Sequence, residues 1–292
     1  MFEKIIVRKM PISHGEMEFV FQCDPWYSDI TMLEGTLASL RLVAQNAREA
    51  NIPVLFLIGD DCYDPPYDHQ QFLDAVAPHP VVLVRTKENH GIGAFVNMGH
   101  TLALRFAPHG YYGRLDADVV LTDEEALSHA KEGFENIPDA YGIYSNIPLW
   151  TRRGWKGVEG NWHRTTSVGD LVFHRVETLR RIGVSDPNLQ NHEENDIRLR
   201  CRMIGQYGYA DRRITGKARA SRMWFEHAEN TVAYIRETKP WINPIKTKNN
   251  TYQLRLRPKL YDPEKAYIGP SSLARELLAR LDEGENLTLS AT

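Results

Sequence analysis

Two carboxylates stand one residue apart, Asp116 and Asp118, at the close of the apolar run "YYGRLDADVVL". On a strand both would point to one face. Unpaired anions there repel, and burying them costs several kcal/mol. The pair calls for a cation, or for a strand that ends and lets water in. A divalent ion would relieve the repulsion, and hard oxygen ligands favour Mg²⁺ or Mn²⁺, which in turn neutralise phosphate oxygens. A second acidic pair, Asp60-Asp61, ends "IPVLFLIGDD", and a third, Glu193-Glu194, opens "EENDIRLRCRMIG" with Asp196 close behind. The loop "TRRGWKGVEGNWHR" sets Trp155, Trp162 and His163 among four basic residues. Aromatics with cations stack on a sugar or on a base. The segment "DRRITGKARASR", which includes Arg212 and Arg213, holds five basic residues in twelve. It suits a loop closing on a diphosphate or a surface that tracks a polyanion.

These residues need elements to position them. "EMEFVFQCD" (16–24) reads as a strand, and 31–51 carries Leu33, Leu37, Leu40 and Ala44 at helical spacing. A buried strand over 52–61, a short helix in "HQQFLDAVAPH", a strand over 80–86, a helix over 93–107 and a strand through "YYGRLDADVVL" follow. Strands alternating with helices predict βαβ units, hence an α/β protein whose mainly parallel sheet has helices on both faces. Ligands of such sheets bind beyond the carboxyl ends of the strands, where Asp60, Asp61, Asp116 and Asp118 all fall. Later, "YGIYSNIPLW" and "SVGDLVFHR" read as strands flanking the Gly/Trp-rich loop. Residues 193–205 read as a helix stopped by Gly205. One amphipathic helix lies in the tail, and no linker or repeat interrupts the chain, so one continuous domain is expected.

With 292 residues, 42% hydrophobic and 25% charged, the chain can bury a sizeable core, and its composition excludes disorder. Cys23, Cys62 and Cys201 are far apart and form no CxxC pair, which predicts reduced, mostly buried thiols. Neither a signal peptide nor any run approaching the ~18 apolar residues of a membrane span is present, so a soluble, cytoplasmic protein with no transmembrane segment is expected. The net charge of −3 is uneven: residues 151–258 hold 21 Lys/Arg against 11 Asp/Glu, a local +10 that leaves −13 elsewhere. A basic second half predicts an anionic partner there.

In order and spacing, four blocks resemble the family-2-like glycosyltransferases of the GT-A fold. "VLFLIGDDCYD" is similar to the family's second strand, whose terminal Asp contacts the donor nucleobase; this implies Asp60 and Asp61. "VRTKENHGIGAFVNMGHTLA" resembles the segment lining the nucleotide pocket, implying Asn89, Gly91 and Asn97. The basic residue that often precedes the last Asn is Val96 here, which leaves diphosphate contacts to Arg85, Lys87 or the later basic loops. "YYGRLDADVVLTDEEAL" resembles the strand and D-x-D that hold the metal and diphosphate. The stretch from "TSVGDLVFHR" to "RCRMIG" resembles the acceptor side, with its Glu-Asp pair written Glu193-Glu194 and Asp196 beyond it. The resemblance implies residues 1–130 as a nucleotide-sugar half, 131–258 as an acceptor half and 259–292 as a C-terminal helix and tail. It also implies Asp118, Asp116 and His227 as ligands of Mn²⁺ or Mg²⁺, and Glu193 or Glu194 as the base that inverts the anomeric carbon.

The expected reaction is therefore sugar transfer from a nucleoside-diphosphate sugar to an acceptor hydroxyl. Two acceptor classes are weighed evenly: a hydroxylated base in DNA, reached by flipping, and a cell-surface glycan or lipid-linked molecule. Two other readings compete. A sugar-phosphate nucleotidylyltransferase needs a Gly-rich, basic loop after the first strand, and "FQCDPWYSDI" has none. A non-catalytic nucleic-acid-binding protein would leave the acidic rim unexplained.

Overall fold

Two segments, Val54–Asp60 and Val81–Thr86, are buried at every position, as strands covered on both faces must be. They lie in a ten-stranded sheet that forms the frame of the molecule. The structure is a computed structural model that describes residues 1–9, 15–25, 30–64, 66–146, 156–165, 171–189, 193–218, 228–247 and 252–283. The strands are β1 (Phe2–Arg8), β2 (Phe19–Asp24), β3 (Val54–Asp60), β4 (Val81–Thr86), β5 (Tyr111–Asp116), β6 (Val119–Leu121), β7 (Ala140–Ser145), β8 (Lys156–Glu159), β9 (Trp162–Thr165), β10 (Leu171–Arg175), β11 (Tyr207–Asp211), β12 (Gly216–Ala218), β13 (Ile242–Lys246) and β14 (Tyr252–Leu256). The helices are α1 (Ile30–Glu49), α2 (His69–Ala75), α3 (Ile92–Phe106), α4 (Ala126–Asn136), α5 (Val176–Ile182), α6 (Glu193–Met203), α7 (Ala228–Thr238), α8 (Pro263–Ala266) and α9 (Ser272–Glu283).

The large sheet runs β1-β4-β3-β2-β5-β10-β7-β11-β9-β8. β4, β3, β2 and β5 are parallel neighbours. β10 enters antiparallel between β5 and β7, and β11 then pairs parallel with β7. The mixed α/β plan is the expected one. Because a strand alternates its side chains, each face of the sheet holds its own core. Phe19, Phe21, Phe56 and Ile58 meet α1, α2 and α4 on one side. Val20, Leu55, Leu57 and Val84 meet α3, α5, α6 and α9 on the other. A third cluster, with Leu199, Ile235, Trp241 and Leu254, packs α6, α7 and the β13–β14 hairpin together.

Three elements differ from the sequence expectation. The run 111–121 is not one strand: β5 stops at Asp116, a turn spans Ala117 and Asp118, and β6 leaves to pair with β12. The Gly/Trp-rich segment is not all loop, because β8 and β9 form a hairpin at the sheet edge. The N-terminal residues, to which no element was assigned, form β1, antiparallel to β4.

Candidate functional site

From β2 the chain moves outward to β3 and β4, then returns through α3 to place β5 on the other side of β2. That reversal is a topological switch point, where the loops part and leave a crevice at the carboxyl ends. The residues that close the two strands there are Asp24 and Asp116, partners in the β2–β5 register. Helix α1 holds the turn that follows. Thr36 Oγ1 donates to Ala117 O at 2.9 Å, and Ser39 Oγ accepts from Leu121 N at 2.9 Å. A Cβ on Gly35 would come within 2.6 Å of Val120, so the helix backbone can approach β6 only without one.

The cation that the acidic pair calls for lies two residues earlier on the same strand face. Arg114 is buried, and its guanidinium stands 2.9 Å from Asp116, 3.1 Å from Glu193 and 3.9 Å from Glu194. It ties the strand-end carboxylates to the first turn of α6, where the helix dipole also favours negative charge. One cation thus serves several anions. Asp24 Oδ2 accepts from Gln22 Nε2 at 2.6 Å, whereas Asp24 Oδ1 is buried without a hydrogen-bond partner among the described residues. Burial pushes the Asp24 carboxyl up to about 7, against the opposing pull of Gln22 and Arg114. Burial also raises Asp118. Glu194 goes the other way: burial would raise it, but His174 and Arg114 hold it below the usual glutamate range. His174 Nε2 is 3.0 Å from Glu194 Oε2.

The other expected site residues divide into groups. Asp60 is fully committed: it accepts from Tyr63 N at 3.0 Å and Arg85 Nη1 at 2.7 Å and meets His69 Nε2 at 2.9 Å. Arg85 is spent on Asp60 and on Glu3 at 2.8 Å. Asp61 organises the turn into α3, accepting from His90 N at 2.8 Å and Gly91 N at 2.6 Å. Gly91 has φ +80°, which favours glycine, and Asn89 and Lys87 are exposed on the same turn. Asn97 is buried and engaged with backbone: Nδ2 donates to Ser185 O at 2.6 Å and Gly269 O at 3.2 Å, while Oδ1 accepts from Ser271 N at 2.8 Å. Asp196 is likewise interior, 3.0 Å from Arg200 and 3.4 Å from Lys239. Trp162 lies on β9 against Gly133 of α4, with the Arg213 guanidinium 5.3 Å from its ring. Arg213 is paired to Asp211 at 2.7 Å and Glu132 at 2.5 Å. Buried His163 is held below the usual histidine range by desolvation and by Arg212, whose own side chain is exposed. Trp155 and His227 lie outside the described residues.

Asp24, Arg114 and His174 were not among the expected residues. The strand-end logic that selected Asp60 and Asp116 applies equally to Asp24 in "EFVFQCD". Arg114 stands at the i−2 position of the D-x-D, where a strand returns to the same face. Nothing local marks His174.

The rim suits a divalent ion. Its donors are hard carboxylate oxygens, its acidic charge exceeds that of Arg114, and Asp24 Oδ1 is a buried orphan. Among the described residues no three such side chains converge as a complete cage. A shell finished by substrate phosphate is the usual arrangement for Mg²⁺.

No protein-family model and no curated protein matches this chain. In fold it is similar to the mannosyltransferase PcManGT of Pyrobaculum calidifontis, solved with GDP-Man and Mn²⁺: TM-score 0.55, 14% identity, 78% of this chain and 67% of that one. It is also similar to GalNAc-T7, solved with UDP, GalNAc and Mn²⁺: TM-score 0.57, 10% identity, 76% of this chain and 48% of that one. Residues 1–349 of TarS from S. aureus align with TM-score 0.51 and 12% identity over 75% of this chain and 65% of that one. The chain therefore spans between about half and two thirds of these neighbours. At such identities the likeness is one of fold.

Proposed function

On the GT-A frame that this chain has, we propose a metal-dependent glycosyltransferase that moves a sugar from a nucleoside-diphosphate sugar to an acceptor hydroxyl, with inversion. One observation carries the reading. The switch-point carboxylates Asp24 and Asp116 share a single buried arginine with Glu193 and Glu194, so a donor-side acidic rim faces a potential base across one guanidinium. Asp116 and Asp118, with His227 added by the family resemblance, would hold the ion. Bound there, Mn²⁺ or Mg²⁺ would stabilise the charge of the departing diphosphate. Asp61 shapes the turn at 86–91 so that Asn89, Gly91 and Lys87 border the nucleotide, and the Asp60–Arg85 pair forms the floor beneath it.

In the reaction the bond from the anomeric carbon to the diphosphate oxygen breaks, and its electron pair leaves with the diphosphate. The acceptor oxygen bonds the same carbon from the opposite face, and its proton passes to Glu193 or Glu194. For the acceptor, we carry forward a hydroxylated base in DNA. The exposed residues Arg212 and Lys217 support it: Arg212 precedes β12 and Lys217 lies on it, paired with Val120 of β6 directly beyond the D-x-D.

A thermal-shift panel of UDP-, GDP-, CDP- and dTDP-sugars with and without Mn²⁺ tests the assignment. One donor should stabilise the parent by a few kcal/mol at saturation, only with metal, and Asp118→Ala should abolish the shift. A parent that responds to no donor would overturn the reading. NMR of the product's anomeric centre reports inversion, and a glycan that accepts the sugar where hydroxylated DNA does not would replace the acceptor assignment.

A further inference from the structure

A line of buried polar groups runs from behind the base helix to its first turn. Ser185 N donates to His100 Nδ1 at 3.2 Å. His100 Nε2 lies 3.2 Å from His174 Nδ1, and His174 Nε2 lies 3.0 Å from Glu194 Oε2. Both rings are buried, on α3 and β10 respectively. A backbone N–H can only donate, so His100 Nδ1 must be the bare nitrogen, and a neutral His100 carries its proton on Nε2. That proton points at His174 Nδ1, which is then the acceptor, so His174 carries its own proton on Nε2, toward Glu194. A single backbone amide therefore sets the tautomer of two histidines in series. Burial above all, with the nearby Arg114 charge adding to it, keeps His100 well below the usual histidine range and hence neutral.

Glu194 and Glu193 differ at this point. Glu193 Oε1 accepts a 3.1 Å hydrogen bond from Arg114 Nη1. Glu194 is 4% exposed; His174 Nε2 stands 3.0 Å from its Oε2 as an ion-pair contact, and among the described residues neither carboxylate oxygen has a fully formed hydrogen bond. A buried carboxylate with open oxygens is costly unless a further donor arrives. An acceptor hydroxyl is such a donor.

We propose that Glu194, and not Glu193, takes the acceptor proton, and that His174 is its positioning residue, its tautomer set through His100 by the Ser185 amide. The inference rests on the glycosyltransferase reading. The Nε2–H dipole faces the carboxylate, favours the anion and keeps it in place while the acceptor oxygen attacks. The other titratable or charged groups around the carboxylate are Arg114 and Tyr112 on β5, Tyr141 and Tyr144 on β7 and Cys201 on α6. Burial pushes the tyrosines and the cysteine up and out of the working pH range, while Arg114 stays charged. Of the groups around this carboxylate, Glu194 itself is the one left to titrate on the acidic side; the rim carboxyls Asp24 and Asp118, raised by burial, contribute alike to the parent and the His174 variants.

Two measurements test this. In ¹⁵N-histidine-labelled protein, the resonances of His100 and His174, assigned by single substitutions, should both show Nε2–H tautomers. Glu194→Gln should shift the His174 Nε2 resonance and leave His100 as it was. This readout does not depend on turnover, and an Nδ1–H tautomer at His174 overturns the proposal whether or not any donor is used. In transfer assays, Glu194→Gln should lower kcat about 10²–10⁴-fold, and a loss of that size in Glu193→Gln but not in Glu194→Gln would overturn the choice of base. His174→Phe should lower kcat and move the acidic limb of kcat/KM to higher pH, and His174→Gln, which restores an N–H donor, should bring the limb back. Metal-dependent donor binding in the thermal-shift assay should survive in all four variants; its absence from the parent marks failure of the glycosyltransferase reading instead. Equal limbs in His174→Phe and the parent would refute the positioning role.

Discussion

Asp24 and Asp60 both end buried strands of one sheet, yet their neighbours drive them in opposite directions. Asp60 is buried too, but His69, Arg85 and the Tyr63 amide outweigh burial and keep its carboxyl low. Among the described residues Asp24 has a hydrogen bond from Gln22 and one orphaned oxygen, and burial prevails, lifting it to about 7. In the unfolded chain Asp24 ionises near ~4. Below that pH it is neutral in both states and costs nothing. Between about 4 and 7 the unfolded state releases the proton while the folded state keeps it, so stability falls as pH rises through this window. Asp24→Asn removes the effect. In metal-free protein the variant should match the parent near pH 4 and exceed it by on the order of 2–4 kcal/mol at pH 7.5, as read by urea denaturation at each pH. A parent whose stability rises across that range in step with the variant would show that Asp24 is ionised throughout. The same residue adds to what the D-x-D alone implies: the cost of a buried, poorly solvated carboxyl beside Asp116 would be relieved by a cation.

At the scale of elements, α3 is the helix that its spacing predicts, and Asn97, which the resemblance assigns to the nucleotide pocket, also carries bonds that hold the helix in place. The sequence pattern implied that Asn97 lines a nucleotide pocket, but its amide spans three backbone groups in Ser185, Gly269 and Ser271. It joins α3 to the turn after α5 and to the segment leading into α9. Asn97→Ala should therefore cost about 2–4 kcal/mol, through buried backbone groups left without partners. The apparent Kd for the nucleotide sugar, measured well below the melting temperature, should stay within about twofold, because both ends of the amide are already engaged with backbone. A tenfold weakening with unchanged stability would return Asn97 to the nucleotide. Much of the α/β frame was legible because its strands are short, fully apolar runs and its helices keep their spacing. Less was legible where periodicity does not change at a boundary. The apolar residues of β5 continue across the turn into β6, so nothing local announces that Asp118 leaves the strand. The β8–β9 hairpin hides in a stretch rich in Gly and Trp. β1 alternates poorly because it is an edge strand, and its partner β4 lies far along the chain. The relay behind Glu194 was not legible at all, since it joins residues from α3, β10 and α6 that only the tertiary fold brings together.

Across the whole molecule, the basic excess in residues 151–258 is smaller at the surface than it looks in the sequence. Arg200 and Lys239 are buried with Asp196 and Asp186, Arg175 donates to the carbonyls of Ala140 and Phe134, and Arg213 is paired with Asp211 and Glu132. These cations are committed to partners within the fold and add little to an outward field. Lys217, by contrast, is exposed on β12, next to the strand that follows the D-x-D. Binding of a polyanion releases counterions, so the slope of log K against log salt changes by about 0.9 for each phosphate that is no longer neutralised. If DNA is the acceptor, Lys217→Ala should reduce that slope by about one unit and leave the melting temperature nearly unchanged. Arg213→Ala should do the reverse, keeping the slope while lowering the melting temperature, because it strands Asp211 in the interior. Fluorescence anisotropy over a salt series, with thermal melts of the same two proteins, separates the two kinds of cation. Equal slope changes from both substitutions would mean that the ion pair around Arg213 opens to meet the DNA. No salt-dependent binding by the parent would leave the basic half with a purely architectural role and move the search for an acceptor to uncharged hydroxyls.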